Sequence, residues 1–294
     1  MSDYDFNKTQ YKFFAKHLKA DLGRVKRHKS CEWMASVHRI GQLDNEYWHY
    51  TESDRAKIIA LAKKQLEVDL LFEPYPEKQS RYERSAKHTS EKENSLSVTH
   101  DFVLVNTLDT LRINHQCIDI SLIDSLGLYV NTQNIISIEH KTIVLVENLT
   151  VMANLHNVIL SPDAEFLKEA LWLYRGDVKA EQSTGRAYQF FKSLLNSHEL
   201  VCFPDFDPEG FKIAIGSQAF KILSPSTEAL VSFNVSGSEK DFYNQTSALN
   251  YICSKSNLSI QCQDLIQGIC NYKKTIKQEH ILSHQIPLMI SSIY

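Results

Sequence analysis

The amino-acid sequence predicts an α/β protein in which a mainly parallel sheet flanked by helices follows a small helical or winged-helix-like unit. Three observations carry that reading. From Thr142 onward short β-branched runs alternate with helical stretches, the order of a parallel sheet with helices on its faces. Before residue 72, apolar residues recur at helical spacing. Between them lies PYPEKQSRYERSAKHTSEKENSLS, residues 74–97, nearly free of aliphatic side chains and dense in mixed charge, which cannot bury enough area to fold alone. The implied organisation is a first unit at 1–73, a charged linker at 74–97, a β-rich connecting segment at 98–139 and an α/β domain at 140–294 with a helical C-terminal tail.

In the first unit, residues 7–22 place Tyr11, Phe14, Ala15, Leu18 and Leu22 on one helical stripe and Lys8, Lys12, Lys16 and Lys19 on another, so one face packs and the other is cationic. A second apolar stretch runs from Trp33 to Ile40 and is ended by Gly41. Thr51-Glu52-Ser53-Asp54 then resembles a capping box before a third helix reaching about Leu71. In the connecting segment, β-rich runs at 102–105, 117–120, 127–130 and 135–138 read as an antiparallel prelude.

Thr142 to Val146, TIVLV, is a continuous β-branched run of the kind covered on both faces, followed by a helix through Leu149 to Leu155. Similar runs recur at 158–160, 170–174, 200–203 and 229–233, with helices at 181–195 and 209–215.

Length and composition narrow the class. The 294 residues suffice for two domains, and 43% hydrophobic content is that of an ordinary globular protein. No apolar run approaches the roughly 20 residues needed to cross a bilayer, and MSDYDFNKTQ is polar where a signal peptide is basic and then apolar. A soluble, cytoplasmic protein without a membrane partner is expected. Six cysteines form no CxxC pair and twelve histidines form no HExxH, so the cysteines read as reduced and structural and a histidine-built zinc site is disfavoured.

The net charge of −3 hides an asymmetry. Residues 1–99 hold 18 Lys+Arg and 15 Asp+Glu, the remainder 14 and 20, a balance of +3 against −6. Lys8, Lys12, Lys16, Lys19, Arg24, Lys26, Arg27 and Lys29 are opposed within their span only by Asp21. Such a stripe suits an acidic partner, with each phosphate contact weakening as salt rises.

Two predicted strands end in acids. Glu147 closes TIVLV, and Asp205 and Asp207 close the run in FPDFDPEGFKIA, residues 203–214. Ligands of an open parallel sheet bind beyond the carboxyl ends of its strands. If these two strands are neighbours, three carboxylates converge, and they raise one another's pKa unless a cation sits among them. Mg²⁺, or Mn²⁺ in its place, resolves the conflict, because hard cations take oxygen ligands. In extended chain, residues i and i+2 point the same way, so Asp205 and Asp207 face one site while Phe206 turns to the core. Pro208 then suits a first helical turn, Glu209 its N-terminal end, and Gly210 a close backbone approach. Taken alone, Asp207 reads as a helix cap and Asp205 as a turn residue.

Val146-Glu147-Asn148 followed by Asp205 to Gly210, D-F-D-P-E-G, resembles the Toprim domain, the Glu and DxD module of topoisomerases, bacterial primases and several nucleases. The phrasing is most similar to the Toprim nuclease subunit of Wadjet-type plasmid-defence systems and, more distantly, to the A subunit of topoisomerase VI. Gln278-Glu279 looks like the Gln-Glu motif that ends the former. The resemblance covers residues 135–235 and, more weakly, 273–283.

It implies a Mg²⁺-dependent DNA endonuclease in which Glu147, Asp205 and Asp207 bind the metal and Glu279 adds or aligns a ligand. Arg186 in STGRAYQFF, and Arg175 and Lys179 in LYRGDVK, are candidates to neutralise the scissile phosphate. The basic N-terminal unit would bind double-stranded DNA or a partner protein. With no GxxxxGK motif in the chain, ATP dependence would come from an SMC-like ATPase complex, the chain itself acting as a homodimer. A topoisomerase-like transesterase would instead need a tyrosine nucleophile, for which Tyr47 and Tyr50 in NEYWHY are the candidates. A non-catalytic DNA-binding adaptor is the third class.

Overall fold

A computed structural model describes residues 6–20, 22–76, 99–120, 126–176 and 184–294. The predicted linker beyond residue 76, Asp21 and Lys179 lie outside them. The chain divides into two compact units, Met1–Ser97 and Val98–Tyr294.

In the first unit the helical spacing produces α1 (Lys8–Ala20), whose Tyr11, Phe14 and Leu18 are buried. The apolar stripe ends there, for Leu22 is 70% exposed, contrary to its expected place on the packed face. β1 (Arg24–Lys26), α2 (Lys29–Val37), β2 (Gln42–Leu43), β3 (Tyr47–His49) and α3 (Glu52–Leu66) follow. Thr51 and Asp54 form the expected capping box, and α3 stops at Leu66, short of Leu71, where Glu67 turns left-handed at φ 58°. The three strands form an antiparallel sheet in the order β1-β3-β2. At two or three residues each, they are too short for a period of two to register in sequence.

Trp48 sits at the centre of this core with Phe14 edge-on to it, and Tyr50 stacks on it at 5.0 Å between ring centroids. All eight basic residues from Lys8 to Lys29 are exposed. Two have local partners: Arg27 pairs with Glu32 at 2.8 Å, and the Arg24 guanidinium lies 5.2 Å over the Tyr47 ring.

The second unit contains β4 (Phe102–Asn106), β5 (Thr110–Ile113), β6 (Gln116–Asp119), β7 (Leu128–Asn131), β8 (Thr142–Val146), α4 (Leu149–Ala153), β9 (Leu171–Tyr174), α5 (Thr184–Ser193), β10 (Glu199–Phe203) and α6 (Pro208–Gly216). Then come β11 (Lys221–Ser224), α7 (Thr227–Ser232), α8 (Glu239–Asn244), α9 (Thr246–Cys253), α10 (Ile260–Tyr272), α11 (Gln278–Ser283) and β12 (Met289–Ser292). Among the described residues seven strands form one sheet flanked by helices, in the order β12-β11-β10-β8-β9-β4-β7.

The sheet is mixed, which corrects the expectation of a mainly parallel one. β11, β10, β8 and β9 run parallel, while β12, β4 and β7 add antiparallel edges. An all-apolar run reveals that a strand is covered on both faces but not which way its neighbour runs. β4 and β7, read as part of a separate prelude, complete this sheet. Ala229 to Phe233, expected as a strand, falls within and just after α7, capped by Ser226, since a short apolar run does not distinguish a buried strand from a helix. The runs at 135–138 and 158–160 contribute only single bridges, Ile138 to Ile113 and Leu160 to Leu288.

The central strands set up one edge. TIVLV is buried at all five positions and lies between β10 and β9, with Val146 opposite both Phe203 and Tyr174. Glu147, Pro204 and Arg175 therefore leave three adjacent parallel strands at the same level.

Candidate metal centre

The Glu147 N–H continues the ladder by donating to the Phe203 carbonyl at 3.3 Å. The Asp205 N–H in turn donates to Glu147 Oε2 at 3.2 Å, so the two strand ends are tied through the glutamate itself. Beyond Asp205 the chain stays extended, and Phe206 is fully buried, edge-on to Phe211 at 5.8 Å, its N–H donating to the Ile276 carbonyl at 2.8 Å. Asp207 N-caps α6: its Oδ1 accepts the Gly210 N–H at 2.8 Å and its Oδ2 accepts from Gln245 Nε2 at 3.1 Å. The cap role and the cleft role belong to one side chain, since a carboxylate has lone pairs for both.

Glu147, Asp205 and Asp207 line a cleft of about 400 Å³ together with two further acids, Glu209 and Asp241, and one lysine, Lys277. Burial, then the charge of Glu147, pushes the Asp205 carboxyl up to about 8, against the pull of the Gln278 N–H. Glu147 is also raised by burial, with Arg175 opposing. Asp207 is raised by burial despite the Gly210 and Gln245 donors. Burial thus shifts Glu147, Asp205 and Asp207 toward their protonated forms, a shift that added positive charge would reverse.

The candidate cations fall differently. Arg175 lies against Glu147, with Nη2 at 2.9 Å from Oε1 and Nε at 3.4 Å from the Glu147 carbonyl. Arg186, expected to face the acidic cleft, instead pairs with Asp101 at 3.0 Å and is not among the cleft-lining residues. The β4 edge supplies that acid, and sequence alone carried no sign that β4 would lie beside β9.

Residues 278–279 sit close against these strand ends. Glu279 Oε1 accepts from Asn148 Nδ2 at 2.6 Å, while its buried Oε2 has no partner among the described residues. Gln278 is the residue whose role sequence reasoning missed. It is fully buried; its Oε1 accepts the Asn148 N–H at 2.8 Å, its Nε2 donates to the Phe203 carbonyl at 2.5 Å, and its own N–H donates to Asp205 Oδ1 at 2.8 Å. One side chain thereby clamps the ends of β8 and β10, and its backbone orients Asp205. A glutamine in a polar turn 75 residues downstream of Phe203 gave no signal beyond its place in the Gln-Glu phrase. Gln278→Leu is expected to cost about 1–3 kcal/mol in urea unfolding, because it leaves the Asn148 N–H unpaired, while the Phe203 carbonyl keeps the Glu147 N–H. Unchanged stability would mean that water satisfies the Asn148 N–H.

Among the described residues no three His, Cys, Asp or Glu side chains are grouped so as to hold a metal ion. The donors present are all oxygen, burial raises Asp205, and Glu147 even with Arg175 opposing, and Glu279 Oε2 is a buried orphan among the described residues. That set fits Mg²⁺, which keeps several waters and takes one or two carboxylates directly rather than a closed protein cage.

A family model described as a domain of unknown function (DUF7281) matches residues 100–290. No curated protein matches the chain.

Proposed function

We propose that this chain, which belongs to the DUF7281 family, is a Mg²⁺-dependent DNA endonuclease that hydrolyses phosphodiester bonds at the edge formed by Glu147, Asp205 and Asp207. The observation that carries the reading is the tie between two neighbouring parallel strand ends, with the Asp205 N–H on Glu147 Oε2 and both side chains in one cleft. Bound there, Mg²⁺ or Mn²⁺ would polarise the phosphate and stabilise the attacking and leaving oxygens. Glu147, Asp205 and Asp207 would hold the ion, with Glu279 aligning Asn148 or adding an oxygen. Gln278 keeps the two strand ends in register, and Lys277 offers positive charge at the rim for a phosphate.

The Toprim resemblance supplies the finer reading: a Toprim-like domain acting on double-stranded DNA as a homodimer, the nuclease subunit of an SMC-like anti-plasmid or anti-phage defence system. The exposed cations from Lys8 to Lys29 in the first unit support a phosphate-binding role for that unit, winged-helix-like in its combination of helices with a small antiparallel sheet.

The tyrosine transesterase reading is weakened by Tyr50, which is 6% exposed and stacked on Trp48, and by Tyr47, which lies under Arg24. A non-catalytic adaptor is favoured by one observation: both Glu147 oxygens are already hydrogen-bonded, to Arg175 and to the Asp205 N–H.

Plasmid cleavage by wild type, Glu147→Ala and Asp205→Ala, with and without Mg²⁺, tests the proposal. Loss of cleavage by roughly 10²-fold or more in both variants is expected, the scale of several kcal/mol of metal-dependent stabilisation. Equal nicking by all three proteins would eliminate the site. A covalent protein–DNA adduct lost with Tyr47 or Tyr50 would favour transesterification, and DNA binding without cleavage under any metal or partner would favour the adaptor.

A further inference from the structure

The ion pair at Glu147 is built by the sheet. Val146 and Tyr174 are paired across β8 and β9, so Glu147 and Arg175 emerge side by side, and the Arg175 N–H donates to the Val146 carbonyl at 2.9 Å. Nη2 holds Glu147 Oε1 while Nε reaches the Glu147 carbonyl. The side chains are 22% and 13% exposed, so water screens this contact less than a surface pair. A guanidinium at 2.9 Å from Oε1 already neutralises the glutamate, and its charge repels a divalent cation brought to the same carboxylate. The geometry therefore places Arg175 in direct competition with any metal for the first of the three acids.

We propose that Arg175 is an exchangeable counter-ion: it neutralises Glu147 in the free protein and transfers to a DNA phosphate on binding, leaving Glu147 open to Mg²⁺. This inference rests on the metal-site reading. The exchange is chemically matched, since a planar guanidinium fork fits a phosphodiester as well as it fits a carboxylate. It balances charge at each stage. Without DNA the buried glutamate is paired; with DNA the phosphate takes the arginine and the glutamate takes the metal. The consequence is cooperativity: DNA strengthens Mg²⁺ binding, and by linkage Mg²⁺ strengthens DNA binding by the same factor. A nuclease built this way holds its metal most tightly on its substrate.

The test is calorimetric titration of MgCl₂ into the full chain, alone and with a short phosphorothioate DNA duplex, for wild type, Arg175→Gln and Arg175→Lys. Circular dichroism and melting serve as folding checks. In wild type the duplex is expected to tighten Mg²⁺ binding by about 5- to 150-fold, the usual range of such coupling. Arg175→Gln, lacking the competitor, should bind Mg²⁺ roughly tenfold more tightly than wild type without DNA and gain less from the duplex. Arg175→Lys, which keeps the charge but loses the fork, should lie between them. If wild type binds Mg²⁺ and Arg175→Gln binds it no more tightly, the exchange is overturned. If Arg175→Lys matches wild type, charge alone sets the affinity and the exchange is wrong. No Mg²⁺ uptake by wild type in either condition would remove the metal reading and this inference with it.

Discussion

Asp205→Asn is expected to make the protein more stable at pH 7.5 in the absence of divalent cations, an unusual sign for a substitution at a buried polar site. The Asp205 carboxyl is pushed up to about 8 by burial and by the charge of Glu147, well above the ordinary range near 3.9. A group whose folded pKa is raised favours folding fully only below its unfolded value, and that contribution is lost as pH climbs toward the folded value. Wild type should therefore lose stability between about pH 4 and pH 8, while the neutral amide does not take part. Asparagine keeps the Oδ1 that accepts the Gln278 N–H. A gain of about 2 kcal/mol, or roughly 4–8 °C in melting temperature, is expected at pH 7.5, shrinking toward pH 5. Mg²⁺ should invert the comparison, raising the wild-type melting temperature and leaving Asp205→Asn unmoved. A wild type at least as stable as the variant across pH 5–8 in EDTA would contradict the crowding of carboxylates.

Gly210→Ala tests the other half of the strand end. The Gly210 N–H donates to Asp207 Oδ1, and its Cα lies against the backbone of Asp205. An added Cβ would fall inside contact distance of the Asp205 carbonyl oxygen and 3.0 Å from the Asp205 nitrogen. Backbone cannot rotate away as a flexible side chain can, so α6 and the Asp205 turn must separate. The expected cost is about 3 kcal/mol in urea unfolding, the upper part of the range for overpacking, with Mg²⁺ no longer raising the melting temperature. Gly216→Ala at the far end of α6 is the control: nothing lies within 4 Å of its added Cβ, and a gain of about 0.4–1 kcal/mol is expected there. Equal effects at the two glycines would show that the close approach at Asp205 is not maintained in solution.

The strand end at 203–214 was the most legible part of the chain because its logic is local. Alternation put Phe206 into the core, and Asp207, Pro208 and Gly210 specified a capped helix with a close backbone contact. TIVLV announced a doubly covered strand for the same reason. The elements that misled were those where a few apolar residues fit more than one partner. Ala229 to Phe233 reads equally as strand or helix, and the sheet's direction at β4, β7 and β12 depends on partners 23 to 71 residues away.

Residue order along one segment thus established which side chains are acidic, which alternate, and which turns can approach closely, since these follow from backbone geometry over a few residues. Which charges meet was settled by folding. Arg175 lies on Glu147 because β8 and β9 are adjacent, Arg186 lies on Asp101 because β4 joins their sheet, and Gln278 clamps two strands that precede it by more than 70 residues. Long-range pairing arises from burying the whole sheet at once, and no short stretch of the chain carries that information.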